Sequence, residues 1–228
     1  TGRVGEPGSP SLERIGVVKL DGSGNLVPDF GVGGKLVLPL GSPSGWATAT
    51  GIARDGQGSL YVAGTENNAV VVFKLDRNGR PVTAFGIDGK ATIPDGPHVS
   101  AFAVDATGNC YLAGAKERPG SGWNPRTRFA LFKLDITGNG AAGFGVGGLK
   151  LIDLDASSGF DGFAHALLID GTGRILAAGY SGSMKRFAVV KIETDGNLAA
   201  GFGIAGIKII DLSDGDPFPP ITAANAIA

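Results

Sequence analysis

The sequence has one cysteine, two histidines and no excess of charge of either sign. A single cysteine excludes an intrachain disulfide, and two histidines argue against a histidine-rich metal site. Twenty lysines and arginines against 21 acidic residues give a formal net charge of -1, so the basic surface of a nucleic-acid-binding protein is lacking. No stretch approaches the roughly 18 apolar residues of a membrane-spanning helix. We therefore expect neither nucleic-acid binding nor membrane insertion.

Glycine is the abundant residue, with 40 among 228 positions. The hydrophobic fraction is 43% and the charged fraction 18%, which is typical of a folded domain and not of a disordered segment. No segment shows the sustained 3.6-residue apolar stripe of an amphipathic helix. The glycine content instead indicates many tight turns between short strands.

A repeated motif organises the chain. F-G-[VI]-x-G occurs four times, at Phe30, Phe85, Phe144 and Phe202, at steps of 55, 59 and 58 residues. A lysine that ends an apolar run stands eleven positions before each phenylalanine, and the segments DGQGSLYVAG, DATGNCYLAG and DGTGRILAAG recur in the same order. Because self-similarity at a fixed period is typical of repeat architectures, these segments are copies of one structural unit.

Each copy has four short apolar runs, named strands a, b, c and d, which are separated by Gly, Asn, Asp and Pro clusters. A unit of four antiparallel strands and about 50 residues is typical of a propeller blade. The sequence therefore predicts an all-β fold, a single four-bladed β-propeller over residues 1–228. The predicted units are residues 46–94, 98–154, 163–212, and 222–228 joined with 1–41.

The two chain ends match different parts of one unit. Thr1–Arg3 matches Thr172–Arg174, where strand b starts, and Ala226–Ala228 matches Gly51–Ala53, late in strand a. We therefore expect the C-terminal strand to pair with the N-terminal segment and to close the ring, which would remove exposed sheet edges. The alternatives are a cut from a longer repeat array and one half of a larger two-chain ring.

The segments VVVFKLDRNGRPVTAFGIDGK and FAVVKIETDGNLAAGFGIAGIK resemble the delta-60 repeat family of bacterial proteins, and the resemblance covers nearly the whole chain. The chain differs from that family in having Lys where the family usually has Arg, and in lacking the usual L-D-x-S before FG. The resemblance implies a propeller-like fold and a secreted or cell-surface location. It implies no catalytic activity.

Unequal loops on a regular scaffold are where binding residues concentrate. The b–c loop of the second complete unit is far longer than its counterpart TENN and carries Arg118, Trp123, Arg126 and Arg128. Trp123 is suited to stack on a sugar ring, and the arginines are suited to hold a carboxylate or phosphate. We add Tyr180 to this candidate surface, whose expected partner is a glycan or a protein. The alternative is a solvated insertion without a ligand.

The d–a loops carry acids, among them Asp153, Asp155 and Asp161. Oxygen-rich loops of this kind can hold calcium, although the D-x-D-x-D-G string of a calcium loop is lacking. Turn formation explains the same acids equally well, because aspartate side chains accept hydrogen bonds from nearby backbone amides. Calcium is the one cofactor to consider.

Four polar residues occupy one equivalent position of strand a, namely Thr50, Ser100, His165 and Asn225. If strand a is innermost, these side chains line the central channel, where water, an ion or a polar ligand tip would satisfy them. His165 is suited to act as a general base, yet no nucleophile stands beside it in a recognisable motif.

Three functions remain open from the sequence. The first is a non-catalytic secreted binding or scaffold module that uses the irregular loops. The second is a structural subunit that forms oligomers or polymers through its ends. The third is a hydrolase or lyase that uses His165.

Overall fold

The computed structural model describes residues 2–6, 9–39, 41, 46–118, 126–154, 162–182, 186–211 and 226–227. In this part of the chain every regular element is a strand, which confirms the all-β prediction. No helix of the described residues is long and apolar enough to cross a membrane.

Fifteen strands form four antiparallel sheets. Sheet 1 contains β1 (Gly2–Glu6), β2 (Ser9–Val18) and β3 (Lys35–Val37). Sheet 2 contains β4 (Ala47–Arg54), β5 (Leu60–Glu66), β6 (Ala69–Leu75) and β7 (Lys90–Ile93). Sheet 3 contains β8 (His98–Val104), β9 (Cys110–Glu117), β10 (Thr127–Leu134) and β11 (Leu149–Ile152). Sheet 4 contains β12 (Gly162–Ile169), β13 (Ile175–Ser181), β14 (Arg186–Ile192) and β15 (Ile207–Asp211).

Sheets 2, 3 and 4 each place four strands side by side in chain order, as the predicted unit requires. Sheet 1 has three described strands, in the order β1, β2, β3. Residues 226 and 227 lie outside every strand. The predicted pairing of the two chain ends, and with it the closure of a propeller, is therefore not confirmed.

The chain divides into two compact units. Unit 1 comprises Thr1–Gly96 with Ala106–Gly108 and Ile136–Asn139, and unit 2 comprises Pro97–Asp105, Asn109–Asp135 and Gly140–Ala228. Unit 1 therefore holds sheets 1 and 2, and unit 2 holds sheets 3 and 4.

A bulge recurs in the first strand of sheets 2, 3 and 4. The register of β4 on β5 passes from the pair Ala49–Gly64 to the pair Gly51–Ala63 and leaves Thr50 without an opposite residue. Ser100 and His165 are skipped in the same way in β8 and β12. The equivalence that the sequence predicts for these three residues is confirmed, and Asn225 lies outside the described residues.

A glycine opposite each bulge makes this geometry attainable. A Cβ atom added to Gly64, Gly114 or Gly179 would lie 2.3, 1.7 or 1.8 Å from a backbone carbonyl oxygen of the bulged strand. These distances are far below van der Waals contact, so only glycine fits there. The repeated A-G pair of strand b is thus the sequence counterpart of the bulge.

Three of the four F-G phenylalanines lie in the core. Phe30, Phe85 and Phe144 are buried, at 1%, 0% and 3% exposure. In unit 1 the Phe30 ring lies beneath Gly79, in the c–d turn of sheet 2, and in unit 2 the Phe144 ring lies beneath Gly196. The amide of the glycine after Phe30 donates to the carbonyl oxygen of Asn78 in the same turn, at 2.9 Å.

The fourth copy of this contact is incomplete in the described residues. Phe202 is half-buried. Gly24 occupies the turn position of sheet 1 that corresponds to Gly79 and Gly196, and a Cβ atom added there would meet no atom within 4 Å. Sheet 1 therefore presents an uncovered turn, and sheet 4 an incompletely covered phenylalanine.

The pairing of β1 with β2 contradicts the sequence alignment of Thr1–Arg3 with Thr172–Arg174. Gly2 pairs with Gly16, and the residue that corresponds to Gly16 in sheet 4, Ala188, pairs with Gly179. Gly2 therefore occupies the position of Gly179 and not of Gly173, so the expected alignment of the N-terminus is wrong. Cross-strand pairing outweighs a three-letter identity because every backbone group of a strand contributes to the register.

We expect Gly114→Ala to destabilise the protein by about 1–3 kcal/mol, because the added methyl group overlaps the carbonyl oxygen of His98 and the strands must separate. Urea unfolding monitored by circular dichroism measures this change. Gly171→Ala is the matched control, since a Cβ atom there meets nothing within 4 Å, and its effect should stay within about 0.5 kcal/mol. Equal effects of the two substitutions would contradict the packing role of the glycine.

Candidate functional site

The candidate site residues of unit 2 gather at one end of its sheets. At this end β9, β11 and β13 finish and β10, β12 and β14 begin. We call it the loop end of unit 2. The b–c and d–a loops leave the sheets here, as the strand order predicts, and residues 119–125, 155–161 and 183–185 lie outside the described part of the chain. Trp123 belongs to the first of these segments.

Three aromatic rings stack at the loop end of sheet 4. Phe163 lies directly opposite Tyr180 in the β12–β13 register, and their ring centroids are 6.1 Å apart. The His165 ring stacks on Phe163 at 4.8 Å and lies 5.5 Å from the Tyr180 ring. All three side chains are half-buried, so the cluster still presents surface to solvent. We call Phe163, His165 and Tyr180 the aromatic cluster.

His165 joins this cluster because it lies two residues after Phe163 in β12. In a regular strand, residues two apart share a face and adjacent residues do not. The β12–β13 register skips His165, yet its side chain stays on the face of Phe163, where the two rings stack. The sequence separately proposed Tyr180 for the loop surface and His165 for the channel, and the structure brings them together.

Partial burial sets the protonation of His165. Desolvation disfavours the imidazolium ion and lowers the pKa of His165 below its ordinary value of 6.5. No acidic side chain of the described residues pairs with the imidazole, whose contacts are the two aromatic rings. The described geometry thus offers no orienting carboxylate of the kind that accompanies a catalytic histidine.

An arginine pair surrounds Asp153 at the loop end of sheet 3. Arg128 donates to both carboxylate oxygens, from Nε at 3.0 Å and from a terminal nitrogen at 2.6 Å. Arg118 forms a second ion pair with the same carboxylate. The hydrogen bond from Arg128, together with the charges of both arginines, lowers the pKa of Asp153. Two of the expected anion-binding arginines therefore hold an internal carboxylate.

Arg126 stands at the second end of the long b–c loop. Its carbonyl oxygen accepts the backbone amide of Arg118 at 2.7 Å, which ties together the two ends of the long b–c loop. The residue is exposed. Of the arginines that the sequence assigned to ligand binding, Arg126 is therefore the most accessible to a ligand.

The calcium hypothesis gains no support from the described acids. Both oxygens of Asp153 are engaged by arginine, whereas a calcium ligand needs an oxygen directed at the ion. Asp155 and Asp161 lie outside the described residues. Among the residues that are described, no three His, Cys, Asp or Glu side chains form a group able to hold a metal.

Ser100, which the sequence places at the channel position, has a hydrogen-bond partner in unit 2. The Ser100 hydroxyl of β8 donates to the carbonyl oxygen of Ala164 in β12, immediately before the bulge residue His165. The hydroxyl therefore joins the first strands of sheets 3 and 4. Thr50 occupies the equivalent bulge in unit 1 and is half-buried. A ring of four polar side chains stays a prediction.

Sequence reasoning missed two features. It did not select Phe163, because only the strand register places this residue opposite Tyr180. It also did not predict the buried tyrosine that lies between an aspartate and the repeated lysine. Tyr61 donates to Asp55 at 3.2 Å while the Lys74 ammonium lies 5.0 Å from its ring centroid. Sheet 3 repeats the arrangement with Tyr111, Asp105 and Lys133.

Cys110 belongs to the core of sheet 3. It lies at the start of β9 and is fully buried, at 0% exposure. A thiol in such surroundings acts as a small apolar side chain and not as a nucleophile.

We expect the free energy of unfolding to fall as the pH drops through 6.5, because the folded pKa of His165 lies below that ordinary value. In this range the unfolded chain takes up the proton first, and protonation therefore favours unfolding. Proton NMR titration of the imidazole measures the folded midpoint directly. Phe163→Ala exposes the ring and should move the midpoint back towards 6.5. A midpoint above 6.5 in the unsubstituted protein would contradict the burial of His165.

A scan against protein-family models matches no family, and a search of curated proteins finds no relative of the chain. The function must therefore be argued from the chain's own geometry.

Proposed function

We propose that the protein is a non-catalytic binding module whose ligand is a glycan bound at the loop end of unit 2. The observation that carries this proposal is the half-exposed stack of Phe163, His165 and Tyr180. Aromatic rings present a negative face, which attracts the polarised C–H groups of a sugar ring. Three rings held together offer such a surface without a large cost in side-chain entropy.

The charges nearby favour an acidic sugar. Arg118 and Arg128 lie at the loop end, where both contact Asp153, and Arg126 is exposed there. Guanidinium groups recognise carboxylate and sulfate in a planar, directional manner. A saccharide with such a group fits the loop end better than a neutral one.

We also infer that the protein adopts a closed four-bladed propeller. Val18 and Leu20 of sheet 1 are 57% and 54% exposed, whereas their counterparts Phe73 and Leu75 in sheet 2 are 3% and 1% exposed. Sheet 4 leaves Phe187 and Val189 half-buried where other sheets bury the equivalent residues. Among the described residues, Ile227 packs with the sheet 4 face, and the two faces are the two halves of the packing that recurs between sheets 1 and 2 and between sheets 3 and 4. Packing these two faces against each other would bury both of them.

The same faces favour a second candidate, a structural subunit that polymerises. Two complementary surfaces at opposite ends form a heterologous contact, which gives a ring when it closes within one chain and a filament when it links different chains. The resemblance to the delta-60 repeat family supports a secreted or cell-surface location for either form. The module would there contact extracellular glycans or protein partners.

The glycan proposal predicts loss of binding on Tyr180→Ala and on Trp123→Ala combined with Arg126→Ala. We expect at least about tenfold weaker binding to an acidic glycan found by array screening, because stacking area or charge is removed. Isothermal titration calorimetry measures the affinity. Trp46→Ala is the matched control, since Trp46 is an exposed aromatic of unit 1, at 42% exposure. Undiminished binding by the loop-end variants would overturn the assignment of this surface.

Closure and polymerisation predict different cross-linked products. In a Cys110→Ala background, Val18→Cys combined with Val189→Cys should give one intramolecular cross-link with a short bis-maleimide, because these positions correspond to the packed pair Phe73 and Val17. Denaturing electrophoresis and intact mass distinguish a cross-linked monomer from a ladder of oligomers. The single-cysteine variants are controls. A ladder would support the polymer, and the absence of both products would contradict the proposed packing.

A further inference from the structure

The turn between β10 and β11 contains Asn139 followed by Gly140, and both residues are exposed. The turn pairs Leu134 with Gly140, and the amide of Ala141 donates to the carbonyl oxygen of Lys133 at 2.9 Å. In antiparallel pairing of this kind, the residue next to a hydrogen-bonded one directs its own backbone groups away from the partner strand. The amide of Gly140 therefore takes no part in the pairing, and no backbone carbonyl of the described residues accepts it.

Sheet 2 has a proline at the corresponding position of its turn. Pro81 pairs with Leu75 in the same way as Gly140 pairs with Leu134. Because proline has no amide hydrogen to donate, the pairing of this turn does not need one. In Gly140 the amide is present and available for other chemistry.

The carboxamide of Asn139 is the neighbour of this amide along the chain. Its Nδ2 donates to the hydroxyl oxygen of Thr137 at 2.9 Å, within the same turn. Glycine after an asparagine carries no side chain that shields the intervening nitrogen, and it gives the backbone the freedom to bring that nitrogen to the carboxamide carbon. Asn139 and Gly140 thus combine an electrophilic carbon and a nucleophilic nitrogen in one exposed turn.

We propose that Asn139 is a site of spontaneous deamidation, by which this turn acquires aspartate or isoaspartate. The Gly140 nitrogen loses its proton to a base in the solvent and bonds to Cγ of Asn139. The bond from Cγ to Nδ2 then breaks, Nδ2 takes a proton from the solvent and leaves as ammonia, and a succinimide ring remains. Water opens the ring at one of its two carbonyl carbons. The net change is amide plus water to carboxylic acid plus ammonia.

Asn78 isolates the contribution of the amide. It also precedes a glycine, yet the amide of Gly79 donates to the carbonyl oxygen of Asp76 at 3.0 Å. The attack on Asn78 requires that this hydrogen bond be released first. We therefore expect Asn78 to react more slowly than Asn139, although the two dipeptides are identical.

Asn25 and Asn197 isolate the contribution of the glycine. They occupy the turn position of Asn139 in sheets 1 and 4, because the residue after each of them pairs as Gly140 does. That residue is a leucine in both sheets, and its side chain crowds the attacking nitrogen. The same backbone position without glycine should therefore react slowly.

Deamidation would change a pocket of about 550 Å³ beside β7, which Lys90, Thr137 and Asn139 help to line. The new carboxylate adds negative charge to the wall of this pocket. Isoaspartate also adds a methylene group to the chain two residues after Thr137, whose carbonyl oxygen accepts the amide of Gly86 at 2.7 Å. The reaction alters both the charge and the backbone of the turn as the protein ages.

Peptide mapping by mass spectrometry measures the reaction during incubation of the folded protein in mildly alkaline buffer. We expect the mass gain of an amide-to-acid conversion to accumulate at Asn139 at least about fivefold faster than at Asn78, because one net hydrogen bond opposes the latter reaction. The rate at Asn139 should also exceed the rates at Asn25 and Asn197. Enzymatic methylation should detect isoaspartate at residue 139.

Urea-denatured protein is the reference for the intrinsic rates of these sequences. Asn78 and Asn139 should then react at similar rates, since both precede glycine and the fold holds neither amide. Asn139→Gln should abolish the main acidic species of aged protein in anion-exchange chromatography, and Asn78→Gln, the matched control, should preserve it. Equal rates at Asn78 and Asn139 in the folded protein, or conversion of Asn139 only after denaturation, would overturn the proposal.

Discussion

The close approach of a bulged strand to a glycine is the constraint on which the rest of the structure depends. The carbonyl oxygens of Thr48, His98 and Phe163 lie so near the opposite glycines that no side chain fits between them. This approach holds the first strand of each four-stranded sheet and releases one residue from the ladder. Since the released residue makes no regular pair, its identity is free to vary, and it is Thr50, Ser100 or His165 in the three sheets.

A second constraint joins one sheet to the next. Each buried F-G phenylalanine needs the turn of a following sheet above it, as Phe30 has Gly79 and Phe144 has Gly196. Among the described residues, sheet 1 exposes Val18 and Leu20, whereas sheet 4 leaves Phe187 and Val189 half-buried beside Ile227. Burial of such apolar surface is favourable at roughly 25 cal/mol per Å².

The sequence predicts those features of the fold that depend on interactions between residues close together in the chain. Strand order, the positions of turns, the burial of the F-G phenylalanines and the equivalence of the bulge residues all follow from motif spacing. Features that depend on the pairing register of the strands do not follow from motif spacing. Thr1–Arg3 resembles a turn, yet pairing places Gly2 within a strand. The aromatic cluster depends on the β12–β13 register, which places Phe163 opposite Tyr180, and the ion pairs of two arginines with Asp153 join the ends of three strands. No short-range pattern encodes either arrangement.

Surface chemistry differs in this chain where one copy departs from the others at a shared position. The position of Tyr180 holds threonine in sheet 2 and alanine in sheet 3, and neither forms a stack. The position of Tyr61 and Tyr111 holds leucine in sheet 4, where it pairs with Lys191. At a shared backbone position, a single side chain therefore decides between packing and an exposed aromatic surface. Repetition fixes the backbone, and substitution within one copy changes its chemistry.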